Sequence, residues 1–257
     1  MKGYTSASYG DSFADDDFEE TFAFLPDLDA MVELLAHNAG RGPVLELGVG
    51  TGRVARPLAP RGIPVDGIDA SDVMLAELRR SAGELPIRPI KSDLADFKPT
   101  RRYSTVFCIW NTFYSLRTSE RQARCIQAVA KALLPGGVFV IEAFVPDPDY
   151  FANGQEVRVR EITADSVSLQ VSLHDSSRQT VASQHVVIRQ DGVRLHPHEI
   201  RYAWPSEIDA MASSAGLCLK ERWAGWRRQP FDQTAIEHVS VYETDDAEAT
   251  FSAVSTP

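Results

Sequence analysis

The sequence is short of cysteine, of basic charge and of long apolar runs, and each shortage excludes something. Its 3 cysteines, Cys108, Cys125 and Cys218, are odd in number and stand at no metal-ligand spacing, so neither a disulfide framework nor a metal site is expected. Lys and Arg total 26 against 36 Asp and Glu, a net charge of −10 over 257 residues. That balance repels a phosphate backbone and offers nothing to an anionic lipid surface, so neither nucleic acid nor membrane is expected as a partner. No apolar run approaches the ~18 residues of a membrane span. The opening residues, Met1-Lys2-Gly3-Tyr4, begin no apolar segment of the signal-peptide kind, and the expectation is a soluble, cytoplasmic, globular chain. What is present in quantity is apolar content, 44% of residues, enough for one large domain or a core domain carrying an insertion.

The apolar residues are arranged in a rhythm. Residues 27–38 carry a helical stripe of Leu28, Met31, Leu34 and Leu35. Short apolar runs then alternate with helical patterns: Val44–Leu47, Val65–Ile68, Ile87–Ile90, Tyr103–Trp110 and Val138–Val145 read as strands. Ser71 stands as cap of a helix with Met74, Leu75 and Leu78 inward, and Ser119 with Gln122 as a capping box for the helix bearing Ile126 and Val129. Pro135-Gly136-Gly137 is placed to stop that helix. This alternation specifies an α/β fold, a Rossmann-like, mostly parallel sheet with helices on both faces. Residues 157–203 switch to period two, which predicts an inserted antiparallel sheet with one wet face. A helix over 206–215 and strands at Leu217–Glu221 and His238–Tyr242 close the α/β part. The expected organisation is an arm or lid over 1–26, the α/β domain over 27–150 and 204–244, the antiparallel insertion over 151–203, and a disordered acidic tail over 245–257. The acidic arm is either a mobile end or a lid that orders over a ligand. Nothing in the pattern sets an oligomeric state.

Glu46-Leu47-Gly48-Val49-Gly50-Thr51-Gly52 leaves a strand and enters a helix, with three glycines where backbone can approach a ligand closely. The spacing is GxGxG; Arg53 stands where a dinucleotide-binding GxGxxG turn has its last glycine, which counts against a nicotinamide cofactor. Asp69 ends the next strand 17 residues after Gly52, placed to accept both hydroxyls of a ribose, and Asp93 follows the third strand.

These residues, with Gly67-Ile-Asp-Ala-Ser71, Lys91-Ser-Asp-Leu94 and Leu134-Pro-Gly-Gly137 in order, resemble the class I S-adenosylmethionine-dependent methyltransferases, over about residues 40–145. The resemblance implies a seven-stranded sheet whose last strand runs antiparallel, with S-adenosylmethionine lying across the carboxyl ends of the first strands and S-adenosylhomocysteine as product. It implies Gly48, Gly50 and Gly52 against the methionine part, with Glu46 shaping that turn. Asp69 would then take the ribose, Ala70 and Met74 would sit beside the adenine, and Ser92, Asp93 and Leu94 would stand at the adenine edge. Ile109, Trp110 and Asn111 would face the reacting methyl group. Arg53 either meets the cofactor carboxylate or is solvated.

The expected reaction is methyl transfer to a nitrogen or oxygen of a small molecule, of the kind found in natural products; the alternative is an enzyme of this fold that binds the cofactor for shape and catalyses a cyclisation. The sheet after the fifth strand resembles a subgroup that methylates amino sugars and other natural products. Those amino-sugar enzymes would have a histidine soon after the fourth strand, where Ser115 stands here. Tyr9 matches a tyrosine of the covering arm, with Asp17 near the place of its partner, and is a candidate for both cofactor contact and catalysis. His196 and His198 are candidate bases or polar sheet positions. Trp110, Asn111, Tyr114, Tyr202 and Trp204 are candidates for the acceptor pocket, the aromatic ones equally suited to the core.

Overall fold

In a computed structural model the described residues are 1–13, 27–147 and 154–244. The expected tail over 245–257 and the acidic residues of the arm from Ala14 to Pro26 lie outside them. Seven strands form one sheet: β1 (Val44–Leu47), β2 (Val65–Asp69), β3 (Ile87–Lys91), β4 (Tyr103–Cys108), β5 (Leu133–Phe144), β10 (Leu217–Trp223) and β11 (Glu237–Thr244). Their order is β10-β11-β5-β4-β1-β2-β3, parallel except for β11, which runs antiparallel to both neighbours. The order reverses between β1 and β4. At such a switch point the loops leave in opposite directions and open a crevice at the carboxyl ends of the strands.

Helices close both faces. Val44 of β1 faces the side packed by α2 (Leu28–Ala39), α3 (Ala55–Leu58) and α4 (Asp72–Ala82), while Leu45 and Leu47 face the side packed by α5 (Ser119–Ala132) and α6 (Pro205–Ser214). All four β1 residues are buried for that reason. Edge strand β3 is only half covered. No helix among the described residues is long and apolar enough to cross a membrane.

Three local expectations need correction. The fourth strand ends at Cys108, because Trp110 and Asn111 both adopt left-handed backbone, φ 51° and 61°. That turn is held from β5: the Trp110 amide donates to the Glu142 carboxylate, and the Phe144 amide donates to Asn111 Oδ1 at 2.7 Å. Helix α5 is capped by Thr118, whose hydroxyl accepts from the Arg121 amide. Gln122 is buried instead and exchanges two 2.7 Å hydrogen bonds with Arg201, tying α5 to the second sheet. Leu133 to Gly137 belongs to β5, the helix having ended at Ala132.

The second sheet is an antiparallel meander of β6 (Gln155–Ile162), β7 (Ser166–Asp175), β8 (Thr180–Arg189) and β9 (Gly192–Arg201). Its inward face is the polar one. Ser183, His196 and Ile200 are buried there, with Ser172 and Ser183 hydroxyls 2.8 Å apart, while Val157, Val159, Leu173 and Leu195 point outward. Val181, Val187 and Ile200 are the buried apolar positions of that inward face.

Candidate active site

A cavity of about 410 Å³ opens at the switch point, walled by the turns after β1, β2, β3 and β4 and roofed by the amino-terminal arm and β9. Its floor is the glycine turn. Gly48 and Val49 amides both donate to the Ile68 carbonyl, at 2.8 and 2.9 Å, which folds the turn under the end of β2. Gly48 (φ 77°) could not carry a side chain, since an added Cβ would sit 2.2 Å from Thr112 Cγ2. At Gly50 (φ 53°) an added Cβ would meet nothing within 4 Å, so this glycine leaves open space at the cavity wall. Gly52 does not line the cavity; its missing Cβ makes room for Leu78 of α4. Gly67 lets Val49 pack directly on β2.

Three carboxylates border the cavity in three different states. Burial raises the Glu46 carboxyl well above its usual range, against the Ala55 amide and Arg53, and its Oε2 has no hydrogen-bond partner among the described residues. Burial also raises Asp69, opposed by the Ser71, Gly50 and Ala70 amides; its two oxygens each accept one amide, from Gly50 and Ser71, both at 2.9 Å. Asp93 is held below the usual range because Ser6, the Ala95 amide and Arg121 outweigh its burial, Arg121 reaching both oxygens at 2.6 Å.

Arg53 lies in the turn before α3 and not on the helix, its guanidinium 4.1 Å from the centre of the Trp110 ring. The arm is ordered over the cavity by α1 (Ser8–Asp11), packed between α4 and β9. Gly10 is needed there, since a Cβ would meet Ser71 Cβ at 2.6 Å, and Asp11 accepts from the Ser71 hydroxyl at 2.7 Å. Tyr9 is half-buried, desolvation pushes its phenol well up, and its ring lies 5.0 Å from His198. His198, on the inward face of β9, borders the cavity and is pushed down to about 4 by burial, so its imidazole is neutral at ordinary pH.

The cavity therefore gathers Tyr9, Glu46, Gly48, Gly50, Arg53, Asp69, Ala70, Met74, Asp93, Leu94, Ile109, Trp110, Asn111 and His198. It does not gather six other candidates. Ser92 donates its amide to the Asp69 carbonyl at 3.0 Å, and Gly52 packs on α4. His196 is buried behind the arm, stacked on Phe13 at 4.0 Å with Ser12 at 3.1 Å. Tyr114 donates to the Phe144 and Ala203 carbonyls at 2.9 and 2.8 Å, locking β5 to the start of α6. Tyr202 pairs with His174 at 2.9 Å, and the Trp204 amide donates to Glu207 at the head of α6. Tyr4, Ser6, Gly10, Thr112 and Ser115 also border the cavity. Of these, Ser115 alone was singled out in the sequence, as the residue standing where the resemblance expects a histidine.

A family model described as a methyltransferase domain matches residues 44–137. The chain is 31% identical to the dTDP-3-amino-3,6-dideoxy-alpha-D-glucopyranose N,N-dimethyltransferase of Streptomyces fradiae over 201 residues, 76% of each chain. It is 24% identical to a cypemycin N-terminal methyltransferase from Streptomyces sp, covering 78% of this chain and 82% of the relative. Among solved structures it superposes on the CcbJ methyltransferase of Streptomyces caelestis with a TM-score of 0.87 and 38% identity, over 94% of this chain and 99% of that one. The fold, the glycine turn and these likenesses define the class: the chain belongs to the class I S-adenosylmethionine-dependent methyltransferases. It is an enzyme, and S-adenosylmethionine is its cofactor.

Proposed function

We propose that the protein methylates a nitrogen of a small natural-product molecule, in the cytoplasm, with the cavity above as its active site. The observation that carries this reading is the convergence, in one cavity, of the glycine turn, the carboxylates and a neutral His198 delivered by the second sheet. The two curated relatives described above act, by name, on nitrogen, and each is a methyl-transfer enzyme, which leaves the cyclisation alternative without support.

The residues fit the cofactor. Glu46 Oε2, buried and lacking a partner, suits the ammonium of a methionine chain, and Gly50 leaves room for backbone approach. Each Asp69 oxygen keeps a lone pair beyond the amide it accepts, enough for a ribose hydroxyl. Asp93 and Leu94 border the adenine end, with Ala70 and Met74 alongside. S-adenosylmethionine, when bound, supplies a methyl carbon activated by a sulfonium, so the protein's task is largely to aim the nucleophile. Trp110, held by Glu142 and stacked under Arg53, walls the reacting end. His198 at about 4 does not store a proton at neutral pH; it accepts a hydrogen bond from the acceptor's N–H and so fixes the direction of its lone pair. The arm, through Tyr4 and Tyr9, excludes water.

Titration calorimetry with S-adenosylmethionine and S-adenosylhomocysteine, followed by mass spectrometry of amine and alcohol acceptors, tests the reading. A hundredfold excess over the dissociation constant stabilises the fold by about 2.7 kcal/mol. Absence of that stabilisation removes the cofactor site, and methylation confined to alcohols removes the nitrogen assignment.

A further inference from the structure

Four hydrogen bonds fill the Asp93 carboxylate. Oδ1 accepts from the Ala95 amide at 2.9 Å and from Arg121 at 2.6 Å, and Oδ2 from Arg121 at 2.6 Å and the Ser6 hydroxyl at 2.5 Å. A carboxylate offers about four lone-pair sites, so this one has none left for a ligand. Of these donors, Ser6 is the one that arrives with the arm. It sits in the turn Thr5–Ser8, where the Ser8 amide donates to the Thr5 carbonyl at 3.2 Å and the Thr5 amide to the Ser8 hydroxyl at 2.8 Å. That turn leads into α1, which Asp11 pins to Ser71 at the head of α4. The polarity of the contact is fixed by its partners. Asp93, held ionised by its donors, only accepts, and Arg121 only donates, so the Ser6 proton is committed to Asp93. Arg121 touches the Ser6 oxygen at 3.4 Å, a long contact that leaves this oxygen a lone pair. Ser6 and Asp93 both border the cavity. Toward a ligand there, Ser6 is an acceptor and nothing else.

We propose that Ser6 reads the amino group of the cofactor's adenine, and that Asp93 acts through it by orienting the hydroxyl. The inference rests on the cofactor reading above, and the sheet order carries the placement. Strand β2 lies between β1 and β3. A ligand with its amino-acid end on the turn after β1 and its ribose at Asp69 of β2 brings its base to the end of β3, where Asp93 and Ser6 stand. An exocyclic amino group is a donor and fits the oxygen that Ser6 offers. A carbonyl or a bare C–H at the same place leaves that oxygen without a hydrogen bond. Because the reader is on the arm, the base is recognised only when the arm is down, and closure of the cavity and recognition of the cofactor become one event.

The test is titration calorimetry on the full chain with two probes, S-adenosylhomocysteine and its purine-riboside analogue, which lacks only the exocyclic amino group. The wild type is expected to prefer S-adenosylhomocysteine about tenfold, the value of one hydrogen bond. Ser6→Ala is expected to bring the two affinities within about twofold, while Ser6→Thr, which keeps the hydroxyl, retains the preference. A Ser6 that merely ties down the arm lowers both affinities together when it is lost, so the ratio separates recognition from a structural role. A Ser6→Ala chain that discriminates as the wild type does overturns the inference and leaves the cofactor site standing. So does a wild type that binds the two probes equally. A wild type that binds neither probe removes the cofactor site itself, and this inference with it.

Discussion

The two sheets of this molecule solve opposite problems. In the seven-stranded sheet both faces meet helices, so β1 is buried at every position and its side chains divide between two cores. In the four-stranded sheet one face meets the cavity and the arm. That face carries His198, His196, Ser172 and Ser183 beside buried Val181, Val187 and Ile200, while Val157, Val159, Leu173 and Leu195 look away. The first sheet is held by burial and presents its chemistry only where strands stop. The second turns most of its polar rows inward, with Val181, Val187 and Ile200 among them. The lesson is that a clean alternation fixes which residues share a face and leaves open which face is inside.

The sharpest way to break this comparison is to delete apolar volume on each side. Leu47→Ala is expected to cost about 2–5 kcal/mol by chemical denaturation, as a fully buried leucine does, whereas Leu195→Ala, outward on β9, is expected within about 0.5 kcal/mol in dilute solution. Equal losses would mean that both faces of the second sheet are packed within one chain.

The two sheets also differ in how they answer pH. Glu142 of β5 is raised to about 7 by burial, aided by Glu237 and opposed by the Trp110 amide. Its folded value lies above the ~4.3 of an unfolded glutamate, so its contribution is full below about 4.3 and is lost as pH rises through 7. His198 lies at about 4, below the ~6.5 of an unfolded histidine, so its contribution is full above about 6.5 and is lost as pH falls through 4. Glu142→Gln is therefore expected to gain on the wild type as pH rises from 5 to 8, and His198→Asn as pH falls from 6.5 to 4, each by at most about 3 kcal/mol. Denaturant midpoints across that range check both. Slopes of the same sign would remove the assignment.

Within the cavity, Asp69→Ala is expected to weaken S-adenosylmethionine by roughly ten- to a hundredfold, about 1.5–3 kcal/mol, in a chain that still folds. Calorimetry reads it directly, and an unchanged affinity places the cofactor elsewhere. His198→Ala is expected to do the reverse: cofactor affinity holds while kcat/KM for the acceptor falls by roughly tenfold, the value of one neutral hydrogen bond. The smallest effect is expected from Gly10→Ala. Its new methyl presses on Ser71 and Met74 and lifts the arm, raising the acceptor's KM a few-fold with little change in melting temperature.

The α/β sheet, the glycine turn and the antiparallel insertion were all legible in the sequence, because they rest on local periods and on residues that only one backbone geometry accommodates. Gly48 at φ 77° and Ser71 accepting the Met74 amide are short-range consequences of residue type. The identities of the acids at the strand ends were equally plain. What the sequence did not contain was the direction of the second sheet, the occupation of Gln122 by Arg201, or the removal of Tyr114, Tyr202 and Trp204 into structural hydrogen bonds. Nor did it distinguish His198 from His196, two residues apart on one face, of which the arm covers one with Phe13 and leaves the other at the cavity. Those outcomes belong to the tertiary structure for one reason: they depend on which surface arrives from elsewhere in the chain, and a period of two or of 3.6 carries no information about what lies opposite.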